Sequence, residues 1–193
     1  PDLLGNADYF VNTMNHFMSC MQTSSLQTAM NELSNHDHSR FLTRTNQVAG
    51  RLGSMDHRAA EEGVSLAVMS EAVAVQMTWI GAPTVYYGDE AGLCGFTDPD
   101  SRRPYPWGKE NRRMIEFHRE MIKIHKNERP LRTGSLRMLY WEKDVLAYGR
   151  FQGDEQVVVI LNNSESLREV TVPVWMAEVP VTGRMKRLIY SYE

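Results

Sequence analysis

The stretch ELSNHDHSRF, residues 32 to 41, decides the fold because it places a run of polar side chains directly after a short apolar segment. Asn35, His36 and Asp37 follow one another, and Arg40 comes shortly afterwards. In an α/β protein, the loops at the carboxyl ends of parallel strands form the edge of the sheet that faces a ligand. We therefore predict that this polar group follows a strand and faces a ligand.

Two other interpretations of this group stay open on the residues alone. Asp37 or Ser39 is also suited to be the N-cap of a helix that begins SRFLTRTN, because carboxylate and hydroxyl oxygens accept hydrogen bonds from the first helical amides. A metal site formed by His36, Asp37 and His38 has less support, since no further ligand occurs at a suitable spacing.

A second strand is predicted in GAPTVYYGDE, residues 81 to 90. The segment from about Arg58 to Ile80 is helical by composition, and its apolar residues surround most of its circumference, which indicates burial on several sides. Thr84 to Tyr87 is short, β-branched and aromatic, so we predict a buried strand that stops at Gly88. Helical spacing from about Ala7 to Leu33 precedes the first motif. A helix followed by a strand, twice over, is typical of an α/β sheet with parallel strands.

The second half of the chain changes in character. The loop AGLCGFTDPDSRRPYPW, residues 91 to 107, is long enough to suggest that it binds something. A helix is predicted from about Lys109 to Lys126. From Leu131 onward, short runs separated by turn residues such as Asp144, Gly153-Asp154 and Asn162-Asn163 predict a small antiparallel all-β unit, with strands in LRMLYWEK, LAYGRF, QVVVILNNS, LREVTVPV and RLIYSY. We therefore predict an α/β domain over residues 1–129 and an all-β domain over 130–193.

Composition and charge exclude several classes of protein. Among 193 residues, 42% are hydrophobic and 23% charged, which is ordinary for a globular protein and argues against disorder of the whole chain. The net charge of -3 comes from 21 basic and 24 acidic residues that are interspersed, so no footprint for nucleic acid or an anionic membrane is present. Cys20 and Cys94 lack the spacing of a zinc site or a disulfide framework. A neutral partner fits best.

The motifs together resemble a known family. NHDHSRF resembles the fourth sequence region of the α-amylase superfamily of glycoside hydrolases, and GAPTVYYGDEAG is similar to its eighth-strand signature. FTDPDSRRPYPW resembles a loop of the neopullulanase, cyclomaltodextrinase and maltogenic amylase branch, and VVVILNNS is similar to the β-sandwich domain that follows the barrel. The resemblance spans essentially residues 30 to 170. It implies the last portion, about strands 7 and 8, of a (β/α)8 TIM-type barrel followed by a small antiparallel β-sandwich.

The resemblance also implies roles for individual residues. Retaining glycoside hydrolysis uses a nucleophilic carboxylate and a carboxylic acid about 5 to 5.5 Å apart, with an oxocarbenium-like transition state. Asp37 matches a third, catalytic carboxylate, which hydrogen-bonds the sugar being cleaved and favours its cationic form. His36 matches an imidazole that binds the same sugar, and Asn35 is placed with it among the substrate-binding residues. Arg40, also placed there, matches a guanidinium that supports the local acidic network.

The D-P-D-x-R loop adds two further expected sugar contacts, from Asp98 and Arg102. The alternative is a self-capping turn in which Arg102 only pairs with Asp98 or Asp100. Aromatic side chains are candidate stacking surfaces for sugar rings, namely Tyr87, Phe96 and Trp107.

The chain departs from the family pattern in one respect. No G-x-R-x-D phrase, which carries the nucleophile in the family, occurs in these residues, so nucleophile and general acid are expected ahead of Pro1. Glu90 matches the eighth strand and is not assigned as the acid. We expect the parent protein to hydrolyse α-1,4-linked glucans, namely starch, maltooligosaccharides, cyclodextrin or pullulan, and the chain alone to be inactive. The competing hypothesis is a non-catalytic carbohydrate-binding or interaction module.

Cofactors and partners follow from the same resemblance. No cofactor or metal is expected in this chain, and calcium in the parent protein is left open. The expected partner is an α-glucan, with neither nucleic acid nor membrane, and an unclosed barrel edge favours self-association of the chain. The compartment is also open, with a cytoplasmic location slightly favoured by the branch.

Overall fold

The computed structural model of the protein describes residues 5 to 48 and 55 to 190. These residues pack into two compact units. Of the described residues, the first unit contains those up to Met30, Thr78–Ala82 and Ile124–Tyr190, and the second contains those from Asn31 to Met77 and Pro83–Lys123.

The described residues form α-helices, β-strands and short 3-10 helices in a mixed order. In chain order the helices and strands are α1 (Ala7–Ser19), α2 (Thr23–Thr28), β1 (Met30–Glu32), α3 (Phe41–Arg44), α4 (Leu66–Thr78), β2 (Ala82–Thr84), α5 (Arg112–Asn127), α6 (Arg129–Thr133), β3 (Ser135–Glu142), β4 (Val145–Gln152) and β5 (Glu155–Asn162). The 3-10 helices are His57–Ala60, Asp89–Ala91, Asp100–Arg102 and Val174–Ala177.

The first unit contains the antiparallel sheet predicted after Leu131. Its strand order is β3-β4-β5, and both neighbouring pairs are antiparallel. Asp144 and Gly153, two of the predicted turn residues, connect the strands with φ values of 64° and 58°. A left-handed backbone at these positions is what tight hairpin turns require. The first three predicted strands are therefore confirmed.

The last two predicted strands are wrong over the described residues. LREVTVPV, residues 167 to 174, is irregular and leads into the 3-10 helix Val174–Ala177, and RLIYSY is irregular up to Tyr190, its last described residue. Pro173 lacks a backbone N–H group and cannot donate to a sheet ladder, which explains why a β-branched run next to it does not extend the sheet. Ala177 instead packs into the small core of this unit with Leu139 and Ala147.

A buried cation stabilises the first unit. Arg150 on β4 is wholly buried and donates to the carbonyl oxygens of Thr78 at 2.7 Å, Leu131 at 3.1 Å and Gly134 at 2.9 Å. Burial lowers the pKa of this guanidinium to about 10. Because it satisfies carbonyl groups that a helix end and a turn leave open, Arg150 joins segments that are distant in sequence.

The second unit is built around α4, whose buried apolar side chains lie four residues apart on one face. Met69, Val73 and Met77 of this helix are almost inaccessible to solvent. The Gln76 amide donates to Asn31 O at 3.2 Å and to Thr84 O at 2.7 Å. These acceptors belong to β1 and β2, which are neighbours in a two-stranded sheet. The helix thereby fixes the strands that precede the two polar motifs.

Three predicted boundaries need correction. The first helical region ends at Thr28, and β1 lies between it and the polar motif. The second begins as the 3-10 helix His57–Ala60, is interrupted at Gly63 with φ of 67°, and resumes as α4. β2 ends at Thr84, whereas Val85 and Tyr87 are exposed. The backbone after Thr84 turns away because the carbonyl groups of Tyr86 and Tyr87 accept bonds from Asp89 N and Arg40 instead of from a strand.

Candidate functional site

The polar motif after β1 is shaped by the side chain of Asn35. Its Oδ1 accepts hydrogen bonds from the backbone N–H groups of Asp37 at 3.0 Å and His38 at 3.1 Å. Its Nδ2 donates to Glu32 Oε1 at 2.8 Å. This is an Asx turn, in which a side chain replaces a backbone acceptor. Both the oxygen and the nitrogen of the Asn35 amide are thus used in hydrogen bonds that hold the loop in this conformation.

His36 and Asp37 project from this turn into solvent. Their side chains are 55% and 68% exposed, and His36 Nε2 lies 3.4 Å from Asp37 Oδ1. The capping interpretation of Asp37 and Ser39 is wrong, because α3 begins at Phe41, whose backbone N–H donates to Ser34 Oγ at 2.9 Å. An imidazole and a carboxylate are therefore available to a ligand at this loop.

Arg40, in contrast, is wholly buried beneath the loop. Its Nη1 donates to Tyr87 O at 2.8 Å and to Asp89 Oδ1 at 2.9 Å, and its Nε donates to Ser101 O at 2.9 Å. The guanidinium carbon lies 4.5 Å from the centre of the Tyr86 ring. Its Nη2 finds no hydrogen-bond partner among the described residues. Arg40 thus joins three segments of the second unit: the polar motif, the end of the second strand and the D-P-D-x-R loop.

Asp89 is the acidic partner that sequence reasoning did not single out. Burial raises the pKa of its carboxyl group, while a hydrogen bond from Ser34 and the charge of Arg40 act in the opposite direction. The signal in the sequence was its place in GDE directly after the predicted strand, where polar groups reach the ligand-facing edge.

Asp98 and Arg102 form an ion pair on the surface of the second unit. Arg102 Nε lies 2.5 Å from Asp98 Oδ1, and both side chains are about half exposed. The hydrogen bond to Asp98 raises the pKa of Arg102, and the charge of Asp37 acts in the same direction. The charge of Asp37 thus acts on Arg102. Arg102 therefore pairs with Asp98, as the alternative interpretation of this loop predicts. Both side chains are nevertheless accessible to a ligand.

Arg103 fixes the loop that carries this pair, a role that sequence reasoning missed. Its Nε and Nη2 each donate to the Asp100 carboxylate at 2.8 Å, and its Nη1 donates to Glu61 Oε1 at 2.7 Å. Burial acts to raise the pKa of Asp100, but the bonds from Arg103 and the Phe96 backbone outweigh it and lower that pKa. A bidentate arginine clamp of this kind gives a loop a defined geometry.

The three candidate stacking aromatics differ in accessibility. Phe96 is wholly buried, so its prediction as a sugar-stacking surface is wrong: a loop phenylalanine here fills the core. Tyr87 is 41% exposed and its hydroxyl donates to Arg103 O at 2.9 Å. Trp107 is 81% exposed, with its ring centre 4.5 Å from that of Tyr105. Trp107 therefore presents the most accessible aromatic face of the three.

The described residues also limit other site types. Among residues 5–48 and 55–190, no group of three or more His, Cys, Asp and Glu side chains is arranged to hold a metal ion. Over the same described part of the chain, no helix has the length and apolar character needed to cross a membrane.

Comparison with known proteins identifies the family. Residues 5–164 match the family model for the alpha amylase catalytic domain. The chain is 35% identical over 161 residues to neopullulanase 2 of Thermoactinomyces vulgaris, a match that covers 81% of this chain and 24% of that protein. It is 38% identical over 125 residues to an amylopullulanase of Thermoanaerobacter thermohydrosulfuricus, covering 64% of this chain and 8% of that protein.

Solved structures agree with the sequence matches. The native form of the debranching enzyme from Nostoc punctiforme superposes with a TM-score of 0.73 at 28% identity, covering 87% of this chain and 31% of that enzyme. The chain thus spans between 8% and 31% of the lengths of these proteins. Its structural neighbours have the TIM-barrel fold of their family, and the matched residues include every side chain of the site described above. The chain belongs to the α-amylase family of glycoside hydrolases.

Proposed function

We propose that this chain forms part of a retaining glycoside hydrolase that acts on α-1,4-linked glucans, namely starch, maltooligosaccharides, cyclodextrin or pullulan. The observation that carries the proposal is the exposed His36 and Asp37 pair, held in a turn by Asn35 and lying within electrostatic reach of Arg102. Carbohydrate hydroxyl groups are recognised by such carboxylate, imidazole and guanidinium groups through charge-assisted hydrogen bonds.

Asp37 is the proposed catalytic carboxylate of this chain. When the bond to the leaving group weakens, the sugar ring gains positive charge, and a fixed carboxylate stabilises that charge more in the transition state than in the ground state. His36, next to it, donates to a hydroxyl of the same ring. Arg40 is assigned a supporting role beneath them, because it is wholly buried and bonded to Asp89, Tyr87 and Ser101.

Asp98 and Arg102 are proposed to bind a sugar further along the glucan. Both are half exposed, and the ion pair between them is a surface pair whose energy in water is small. Sugar hydroxyls can therefore replace part of that interaction at little cost. Asn35 acts on substrate indirectly in this proposal, since its amide is used to shape the turn.

The proposed reaction needs two carboxyl groups that this chain does not supply. The nucleophile and general acid of a retaining hydrolase lie about 5 to 5.5 Å apart, and neither is assigned to a residue of this chain. We propose that other strands of a (β/α)8 barrel supply them, that β1 and β2 correspond to about strands 7 and 8, and that residues 130–193 belong to a C-terminal β-sandwich. The chain alone is then inactive. The chemistry is that of carboxyl groups and involves no cofactor from this chain.

The second candidate function is a module that binds α-glucan without cleaving it. This function is favoured by the exposed face of Trp107 and by the exposed ion pair of Asp98 and Arg102, because such groups can bind a sugar without a nucleophile. The two functions are separated by one experiment. The chain is assayed for release of reducing sugar from maltooligosaccharides, alone and within a protein that completes the barrel. The enzyme function is supported if only the protein with the completed barrel hydrolyses the substrate and NMR shows that the anomeric configuration is retained. The module function is supported if both samples bind the substrate and neither hydrolyses it.

A further inference from the structure

Ser101 is a wholly buried hydroxyl residue that directly precedes Arg102 and is bonded to the polar motif. Its Oγ donates to the carbonyl oxygen of His36 at 2.8 Å. Its own carbonyl oxygen accepts from Arg40 Nε at 2.9 Å. One residue of the D-P-D-x-R loop is thereby bonded to both ends of the polar motif, at His36 and at Arg40.

The two proposed ligand-binding residues, Asp37 and Arg102, are sequence neighbours of the residues that form these hydrogen bonds. Asp37 directly follows the His36 carbonyl, and Arg102 directly follows Ser101. The two hydrogen bonds therefore set the distance between the backbone that carries the carboxylate and the backbone that carries the guanidinium. A peptide unit fixed on one side of each residue leaves only its φ rotation and its side-chain rotation to vary the separation of the two groups.

The packing around Ser101 leaves it little freedom to move. Gly95 lies against the loop so closely that a Cβ atom there would be 2.5 Å from Asp100 O and 3.1 Å from Ser101 Cα. Gly95 in turn accepts the Arg40 N–H at 2.9 Å and donates to Thr43 Oγ1 at 2.9 Å. The clamp of Arg103 on Asp100 holds the same turn from its other side. Ser101 is thus a rigid point to which the His36 carbonyl is tied.

We propose that Ser101 is a positioning residue, whose hydroxyl holds Asp37 at a fixed place relative to Arg102. The proposal rests on the proposed function, because it acts through Asp37. Misplacement of a reacting group by about 1 Å costs up to about 10²-fold in rate. A buried serine that only filled space would show no such effect beyond a loss of stability.

The test uses a protein that carries this chain together with the remaining barrel. Ser101→Ala removes the bond to His36 and keeps the bond from Arg40, which reaches a backbone oxygen. We expect kcat on maltooligosaccharides to fall about 10-fold or more, with a smaller change in KM, because Asp37 acts mainly in the transition state. Ser101→Cys keeps a weak donor and is expected to restore part of the rate.

Thr45→Val is the matched control. The Thr45 hydroxyl donates to Leu42 O at 2.6 Å and accepts from Ser65 N at 2.7 Å, within the same unit, and neither partner belongs to a ligand-facing pair. The proposal is supported if Thr45→Val changes the melting temperature as Ser101→Ala does but leaves kcat unchanged. Equal losses of kcat in Ser101→Ala and Thr45→Val overturn it.

A third variant separates the two levels of inference. If Asp37→Asn abolishes hydrolysis while Ser101→Ala behaves as Thr45→Val does, only the role of Ser101 is lost. If Asp37→Asn is fully active, the proposed function fails and the positioning role fails with it. Should Ser101→Ala not fold, Ser101→Cys is compared with Thr45→Val by the same criteria.

Discussion

Arg40 and Asp89 form an ion pair inside the second unit, with Nη1 of the arginine 2.9 Å from Oδ1 of the aspartate. The two residues belong to the two motifs that define the site, and they lie 49 positions apart in the sequence. Both side chains are almost inaccessible to solvent. The pair therefore connects the loop after β1 to the turn after β2, and its charges have no bulk water to stabilise them.

Arg40→Met is expected to destabilise the protein strongly. It leaves the Asp89 carboxylate buried and without its counter-ion, a change that costs about 3 to 5 kcal/mol in comparable pairs. The measurement is the free energy of unfolding from urea denaturation followed by circular dichroism. Arg102→Met is the matched control, because it breaks an arginine–aspartate pair that is half exposed. Similar unfolding free energies for the two variants would contradict a structural role for the buried pair.

Asp37→Asn is expected to lower kcat of the barrel-completed protein on maltooligosaccharides by about 10²-fold or more, the effect of removing one group that stabilises transition-state charge. The fold should be unchanged, since the Asp37 side chain is 68% exposed.

A second exposed histidine–aspartate pair provides the control for this prediction. His57 Nδ1 lies 3.1 Å from Asp56 Oδ1, with side chains 61% and 66% exposed, much like His36 and Asp37. Asp56→Asn keeps an oxygen for the hydrogen bond from Arg58 N. Equal kcat values for Asp37→Asn and Asp56→Asn would remove Asp37 from the site.

The parts of the site that could be predicted from sequence are those fixed by local chemistry. Asn35 followed by His36 and Asp37 after an apolar run indicates a turn at a strand end, and the structure has β1 there with the pair exposed. Asp144 and Gly153 are ordinary turn residues, and both adopt the left-handed backbone. In each case residues within a few positions determine the result.

The parts that could not be predicted depend on distant contacts. Serine is a common loop residue, so nothing in the sequence singles out Ser101. Its burial arises from the close approach of Gly95 and from the hydrogen bond that Arg40 Nε donates to its carbonyl oxygen. Phe96 lies in a loop whose composition is the same whether its ring packs inward or outward. The early end of β2 follows from the capture of the Tyr87 carbonyl by Arg40, which is a contact between remote segments.

Trp107→Ala is expected to weaken the affinity of the protein for long maltooligosaccharides. The ring is 81% exposed and held against Tyr105, so it needs little ordering to serve as a flat surface for a sugar. An aromatic contact contributes about 0.5–1.5 kcal/mol, which corresponds to about 2- to 12-fold in the dissociation constant. Isothermal titration calorimetry measures the change.

Trp175→Ala is the control for Trp107, because Trp175 is also well exposed, at 69%, and belongs to the first unit, whereas the site residues belong to the second. Its affinity should match that of the unaltered protein. A loss of affinity in Trp175→Ala equal to that in Trp107→Ala would show that exposed indole rings in general bind the glucan, and that the Trp107 ring has no special role.

His118 is expected to make the protein less stable as the pH falls. Its Nδ1 lies 2.9 Å from Met114 O, and its buried Nε2 has no partner among the described residues. Burial lowers the pKa of the imidazole, although the Met114 carbonyl and the charge of Glu90 act to raise it. The unfolded chain therefore binds a proton on His118 at a higher pH than the folded protein does.

The sign of this effect follows from the lowered pKa. Between the unfolded-state pKa of about 6.5 and the lower folded-state value, the unfolded state holds more protons, so the free energy of unfolding decreases as the pH falls through this window. We expect His118→Leu to flatten the dependence of melting temperature on pH between 7.5 and 5.5, and His16→Gln, which removes an exposed imidazole, is the control variant. An equally steep dependence in His118→Leu would mean that other groups cause the loss in acid.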